Sequence, residues 1–193
     1  MAYPKTYERT VDLIKSMDKN IKIVDLGCGN GQIIKKLRKL GFKNIDYYDI
    51  EDKFDGKVKI MDFNKELKFK NNSFDLVIST EVIEHLENKY LFFKEIKRIL
   101  KPNGTFIFST PNITNLPNRL VYFFKGKFIE FNENEQKEHI NPFFIWQLPD
   151  FFKIETKTYN GGFIPLLRIP FIRNSLFGQA IIVKCKVKKI SVP

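Results

Sequence analysis

Apolar and polar positions alternate between two periods along this chain. From residue 4 to residue 18, Val11, Leu13, Ile14 and Met17 fall at helical spacing and predict a helix with one apolar stripe. Ile21 to Leu26 is instead a short apolar run, as in a buried strand. Glycines follow at Gly27, Gly29 and Gly31, and then Ile33, Ile34, Leu37 and Leu40 restore helical spacing until Gly41 stops it. Ile45 to Ile50, Lys57 to Met61, Phe74 to Ile78 and Thr105 to Ser109 read as four further strands. Asn71-Asn72-Ser73 and Pro102-Asn103-Gly104 read as turns. Glu81 to Leu86 predicts the start of a helix that resumes from Leu91 to Leu100. The pattern is that of an α/β chain.

Beyond Pro111 the pattern loosens. Residues 111–141 form a connection too long for a simple turn, the kind that marks a lid or substrate segment. Within it, Arg119 to Phe128 mixes aromatic and basic residues, as either a core-facing helix or a binding element would. Phe143 to Phe152 predicts a helix interrupted by Pro149, and Lys153 to Tyr159 and Gln179 to Val187 alternate as two last strands. Gly161 to Gly178 reads as a loop, and its apolar residues beside Arg168 and Arg173 would suit either a cover over the site or peripheral membrane contact.

The glycine run carries the chemistry. A strand, a glycine loop and a helix start let the backbone approach a ligand closely and offer it unpaired N–H groups. The spacing is G-x-G-x-G, not the G-x-G-x-x-G of a dinucleotide fingerprint, and Asp25 stands just before it. An acid there suits a ligand amino group and clashes with a pyrophosphate. This stretch, with Ser73-Phe74-Asp75, Glu84-His85-Leu86, Leu100 to Gly104 and Ser109-Thr110-Pro111-Asn112, resembles the class I S-adenosylmethionine-dependent methyltransferases over residues 21–112.

The resemblance implies a Rossmann-like seven-stranded sheet in the order 3-2-1-4-5-7-6, its last strand antiparallel, with helices on both faces. It makes the chain one methyltransferase domain over residues 1–193, with S-adenosylmethionine as cofactor. Asp25, Gly27, Gly29 and Gly31 would form the loop around the cofactor's amino-acid end. Asp49, eighteen residues after Gly31, would take the ribose hydroxyls, as its spacing also suggests. Asp62 and the N–H of Phe63 would take the adenine, and Thr80 ends the fourth strand at the edge where ligands collect.

Composition narrows the setting. Hydrophobic content of 43% over 193 residues is enough for a sizeable core. No apolar run reaches the roughly 18 residues of a membrane span, and the first residues lack a signal peptide's apolar centre. Cys28 and Cys185 give neither a disulfide framework nor metal-ligand spacing, so a cytoplasmic location is expected. The net charge of +11 would suit nucleic acid, an anionic membrane or an anionic substrate. The lysines are scattered, apart from Lys184, Lys186, Lys188 and Lys189, so solvated surface charge accounts for them better than nucleic acid does.

Methyl transfer from a sulfonium needs alignment first, and a base only where the acceptor arrives protonated. His85 and His139 are the two histidines and the two candidate bases. Glu81, Glu84 and His85 would share a helical face at i, i+3 and i+4 and offer an alternative metal site, although no metal is expected. The Asn/Asp-Pro-Pro-aromatic motif of adenine N-methyltransferases is replaced by Ser79-Thr80-Glu81-Val82. Neither cysteine is placed for cytosine C5 chemistry. The expectation is O-methylation of a small molecule or glycan. An RNA methyltransferase and a non-catalytic S-adenosylmethionine-binding protein are the alternatives, and the oligomeric state stays open.

Overall fold

The computed structural model describes residues 5–131, 139–164, 169–172 and 174–188, with the backbone alone for 162–164 and 169–172. The strands are β1 (Ile23–Leu26), β2 (Ile45–Asp49), β3 (Lys59–Ile60), β4 (Phe74–Thr80), β5 (Leu100–Pro111), β6 (Phe152–Tyr159), β7 (Gly162–Ile164), β8 (Ile169–Ile172) and β9 (Ala180–Val187). The helices are α1 (Thr6–Asp12), α2 (Gln32–Lys39), α3 (Lys89–Ile99) and α4 (Leu116–Lys125). Seven strands make one sheet in the order β3-β2-β1-β4-β5-β9-β6. The first five run parallel, whereas β9 pairs antiparallel with both β5 and β6. This is the 3-2-1-4-5-7-6 sheet expected from the resemblance.

Period-two alternation assigns each strand residue to one of two cores. Val24, Val77, Phe106, Phe108 and Val183 face α3, whose Phe92, Phe93, Ile96 and Ile99 are all buried. Ile23, Leu76, Ile78, Ile107 and Ile182 face the opposite side, against Ile33 and Leu37 of α2 and Val11 of α1. Phe93 is the hub of the first core, with the rings of Phe106, Phe108, Phe143 and Phe152 centred 5.6 to 6.3 Å away. Each such buried ring contributes about 1.5–3 kcal/mol. The packing fixes β4 and β5 side by side, and their carboxyl ends carry the site.

Four expectations need correction. The helix from Glu81 to Leu86 is a single 3-10 turn over Ile83–His85, because Glu81 takes a left-handed φ of 54° and Leu86 is extended. Phe143 to Phe152 holds only one 3-10 turn, Ile145–Gln147; Leu148, before Pro149, is forced to ψ 125° and the helix cannot grow. The turn at Pro102-Asn103-Gly104 lies inside β5, with Asn103 at φ 63° and a register shift opposite Phe74 and Leu76. The loop expected over residues 161–178 contains the β7–β8 hairpin; Arg168 and Arg173 lie outside the described residues.

Candidate active site

The glycine loop joins β1 to α2 at the carboxyl edge of the sheet. Its N–H groups at Gly27 and Cys28 both donate to the Tyr48 carbonyl, at 2.8 and 3.2 Å. Gly27 has φ 88°, and a Cβ there would meet Val82 Cγ2 at 2.2 Å, so only glycine fits. Gly31, at φ 71°, would drive a Cβ to 2.5 Å from the Phe54 ring. Gly29 differs: a Cβ there meets no protein atom within 4 Å, so its open face is available to a ligand.

Two carboxylates flank this face. Asp49 accepts from the Gly29 N–H at 2.8 Å with Oδ2 and from the Ile50 N–H at 2.7 Å with Oδ1, which ties the end of β2 to the glycine loop. Asp25 is 1% exposed, and its Oδ1 is buried with no hydrogen-bond partner. Burial, and then the charge of Asp49, push the Asp25 carboxyl up to about 7. A buried, unpartnered acid costs free energy that a ligand ammonium group would recover. The cradle at Gly29 and this orphaned acid fit the amino-acid end of S-adenosylmethionine.

Asp62 sits after β3, beside Asp49, since the Met61 N–H donates to the Asp49 carbonyl at 2.8 Å. Its Oδ1 accepts from the Asn64 N–H at 2.9 Å and its Oδ2 pairs with Lys65 at 3.1 Å, which together hold its carboxyl below the usual range. Phe63 turns its ring into the core against Phe92, leaving its backbone at the loop. Thr80, the last residue of β4, is buried beside Ser109 of β5. The expected cofactor residues therefore line up along the carboxyl ends of β1 to β4.

A second cluster stands at the ends of β4 and β5. The left-handed turn at Glu81 aims its N–H at the Ser109 carbonyl and Oγ, while the Ser109 hydroxyl donates to Glu81 Oε1 at 2.7 Å. Burial pushes Glu81 up to about 7. Glu84 is fully buried; burial and the nearby Glu81 raise it well above the carboxylate range. Thr110 donates to Glu84 Oε2 at 3.2 Å, but Oε1 has no partner.

The rings of His85 and His139 lie 4.8 Å apart, and one ligand atom each from Glu84, His85 and His139 falls within 4.8 Å of the others. The metal-capable group is therefore Glu84, His85 and His139, with His139 where the helical spacing expected Glu81. Without the helix, Glu81 is turned toward Ser109.

What places His139 was not visible in the sequence. Its Nδ1 lies 2.8 Å from the Glu130 carbonyl oxygen, which can only accept, so Nδ1 is the protonated nitrogen. The Glu130 carboxylate in turn accepts from Asn118 Nδ2 at 2.9 Å, and Asn118 Oδ1 accepts from the Ile129 N–H. Both Asn118 and Glu130 are buried, although they stand in an aromatic, basic stretch. An acid set between two apolar residues, Ile129 and Phe131, is the one signal that could have flagged Glu130.

The buried acids set a pH dependence. Asp25 and Glu81 hold their protons in the folded state up to about 7, but release them near the ordinary carboxylate range when unfolded. The unfolded chain then binds fewer protons, so stability is full below that range and is lost as pH rises to about 7. Each pH unit in that window costs about 1.4 kcal/mol per such group. The protein without cofactor should melt several degrees lower at pH 8 than at pH 5, and Asp25→Asn should flatten that slope. A melting temperature that rises over this range would contradict the assignment.

Residues 24–108 match the family described as a methyltransferase domain. The matched segment and the order of the sheet are those of the class I S-adenosylmethionine-dependent methyltransferases, to which this chain is similar. The ubiquinone biosynthesis O-methyltransferase of Rickettsia conorii is 29% identical to it over 154 residues, which cover 73% of this chain and 53% of that protein. That of Rickettsia typhi is 30% identical over 161 residues, 77% of this chain and 65% of that protein. The chain thus spans between half and two thirds of the length of these curated relatives. A solved SAM-dependent methyltransferase from Archaeoglobus fulgidus shares the fold, with TM-score 0.67 and 18% identity over 93% of this chain and 92% of that one.

Proposed function

We propose that this domain moves the methyl group of S-adenosylmethionine to a hydroxyl oxygen of a small molecule, either free or the sugar of a glycan, in the cytoplasm. The observation that carries the reading is the pair His85 and His139, whose rings lie 4.8 Å apart, with His85 in the turn after β4 whose Val82 packs against Gly27 of the glycine loop. Bound S-adenosylmethionine supplies an activated methyl group. Asp25 and Asp49 would hold its amino and ribose groups. With Nδ1 donating to Glu130, His139 carries its lone pair on Nε2 and takes the acceptor's proton. The names of the Rickettsia relatives support oxygen as the acceptor atom. The two cysteines are buried free thiols, which suits a reducing compartment.

A second reading of the same cluster rests on the unpartnered Glu84 Oε1 among nitrogen donors. A divalent cation held by Glu84, His85 and His139 would lower the acceptor's own hydroxyl pKa in place of a base.

The test is transfer of a labelled methyl group to a panel of phenols, catechols and sugars, with and without a chelator. Label on oxygen regardless of chelator supports the base. Chelator-sensitive transfer supports the metal reading, and label only on nitrogen or carbon overturns O-methylation.

A further inference from the structure

The apolar side chains of α4 do not enter the core. Only Asn118 of this ten-residue helix is buried, whereas Phe123 is 81% exposed, Phe124 is 77% exposed, and Leu120 and Tyr122 are also exposed. Polar bonds at its base hold the helix in place. The Leu116 N–H donates to the Leu176 carbonyl at 2.7 Å, and Arg119 Nε donates to the Thr114 carbonyl at 2.7 Å. Asn112 Nδ2 donates to the Ser175 and Gly178 carbonyls at 2.9 Å. The exposed Phe123 and Phe124 rings therefore do not attach the helix.

The patch extends beyond α4. Tyr122 stacks on Phe128 at 5.0 Å, Phe128 meets Phe144 at 6.4 Å, and Phe144 stacks on Trp146 at 5.8 Å. Trp146 is 79% exposed. Phe128 and Phe144 are half-buried, so they join the exposed Tyr122 to the exposed Trp146, and exposed aromatic groups gathered in this way mark an interaction site. Its charge selects the partner. Arg119, Lys125 and Lys127 are exposed on the same segment, and the only acid of residues 112–131 is the buried Glu130. Glu133, Glu135 and Glu138 follow in sequence, outside the described residues.

We propose that α4, with Trp146, docks the protein on an anionic lipid surface. Rings enter the boundary between headgroups and acyl chains while the basic side chains meet negative headgroups. A second copy of the chain fits less well. A two-fold pairing across this face would set Arg119, Lys125 and Lys127 against the same three cations, in a protein of net charge +11. Among the described residues no helix is long and apolar enough to cross a membrane, so the contact is one that lies on the surface. Asn118, on the same helix, holds the Glu130 that positions His139, so the docked face adjoins the acceptor side of the site.

The test is cosedimentation of the full chain with phosphatidylcholine vesicles and with vesicles that also contain phosphatidylglycerol, at low and high salt. Binding is expected only with phosphatidylglycerol, and weaker in high salt. Phe123→Ser/Phe124→Ser and Lys125→Glu/Lys127→Glu should each lower partitioning by roughly tenfold or more, with unchanged melting temperature because these side chains are exposed. Absence of binding, or binding unchanged in both double variants, would overturn the proposal. So would a wild-type dimer that Phe123→Ser/Phe124→Ser separates in sedimentation, which would assign the face to a second copy.

Discussion

His139→Ala should lower turnover by roughly 10²- to 10⁴-fold while cofactor affinity stays unchanged, if the acceptor is a hydroxyl. The size follows from removing a positioned proton acceptor that no other group replaces. His85 is 4.8 Å from it, ring to ring, but would need its own acceptor geometry, and Glu84 is buried with its carboxyl raised well above the usual range by burial and by Glu81. The split between turnover and affinity follows from position. Asp25, Asp49 and the glycine loop belong to the ends of β1 and β2, whereas His139 is tied to Glu130 and through it to α4. Metal content measured on the same variant separates the two readings of the cluster: loss of activity with no bound metal in either protein supports the base, and loss together with metal supports the cation. Full turnover in His139→Ala would remove it from the mechanism.

The geometry of the glycine loop was legible because its signals are local. Gly27 and Gly31 need positive φ and leave no room for a Cβ, and such positions announce themselves as glycine. Asp49 ends a strand whose distance from the loop the topology fixes, and the structure brings it back to the Gly29 N–H. The acceptor half depends on contacts distant in sequence. Nothing near His139 reveals that its ring meets that of His85, fifty-four residues earlier. Glu81 to Leu86 carried helical spacing, but a left-handed residue at Glu81 broke it because Ser109 of the neighbouring strand offered better bonds. In α4 the periodicity could not distinguish a core-facing stripe from an exposed one, since both use the same apolar residues. Only the fold shows that Phe123 and Phe124 point outward.

Calorimetric titration of S-adenosylmethionine and of NAD into the wild type and Asp49→Ala tests the identity of the cofactor. A carboxylate bonded to ribose hydroxyls is worth about 1.5–3 kcal/mol, so Asp49→Ala should weaken binding by roughly 10- to 100-fold. Part of that loss comes from the Gly29 N–H, which also loses its acceptor. Asp52→Ala is the control: Asp52 accepts from the Phe54 and Val58 N–H groups within its own turn and should change affinity far less. S-adenosylmethionine should bind the wild type and NAD should not, because the orphaned Asp25 carboxyl welcomes an ammonium and repels a pyrophosphate. Equal affinity for NAD, or Asp49→Ala binding as tightly as the wild type, would contradict the account.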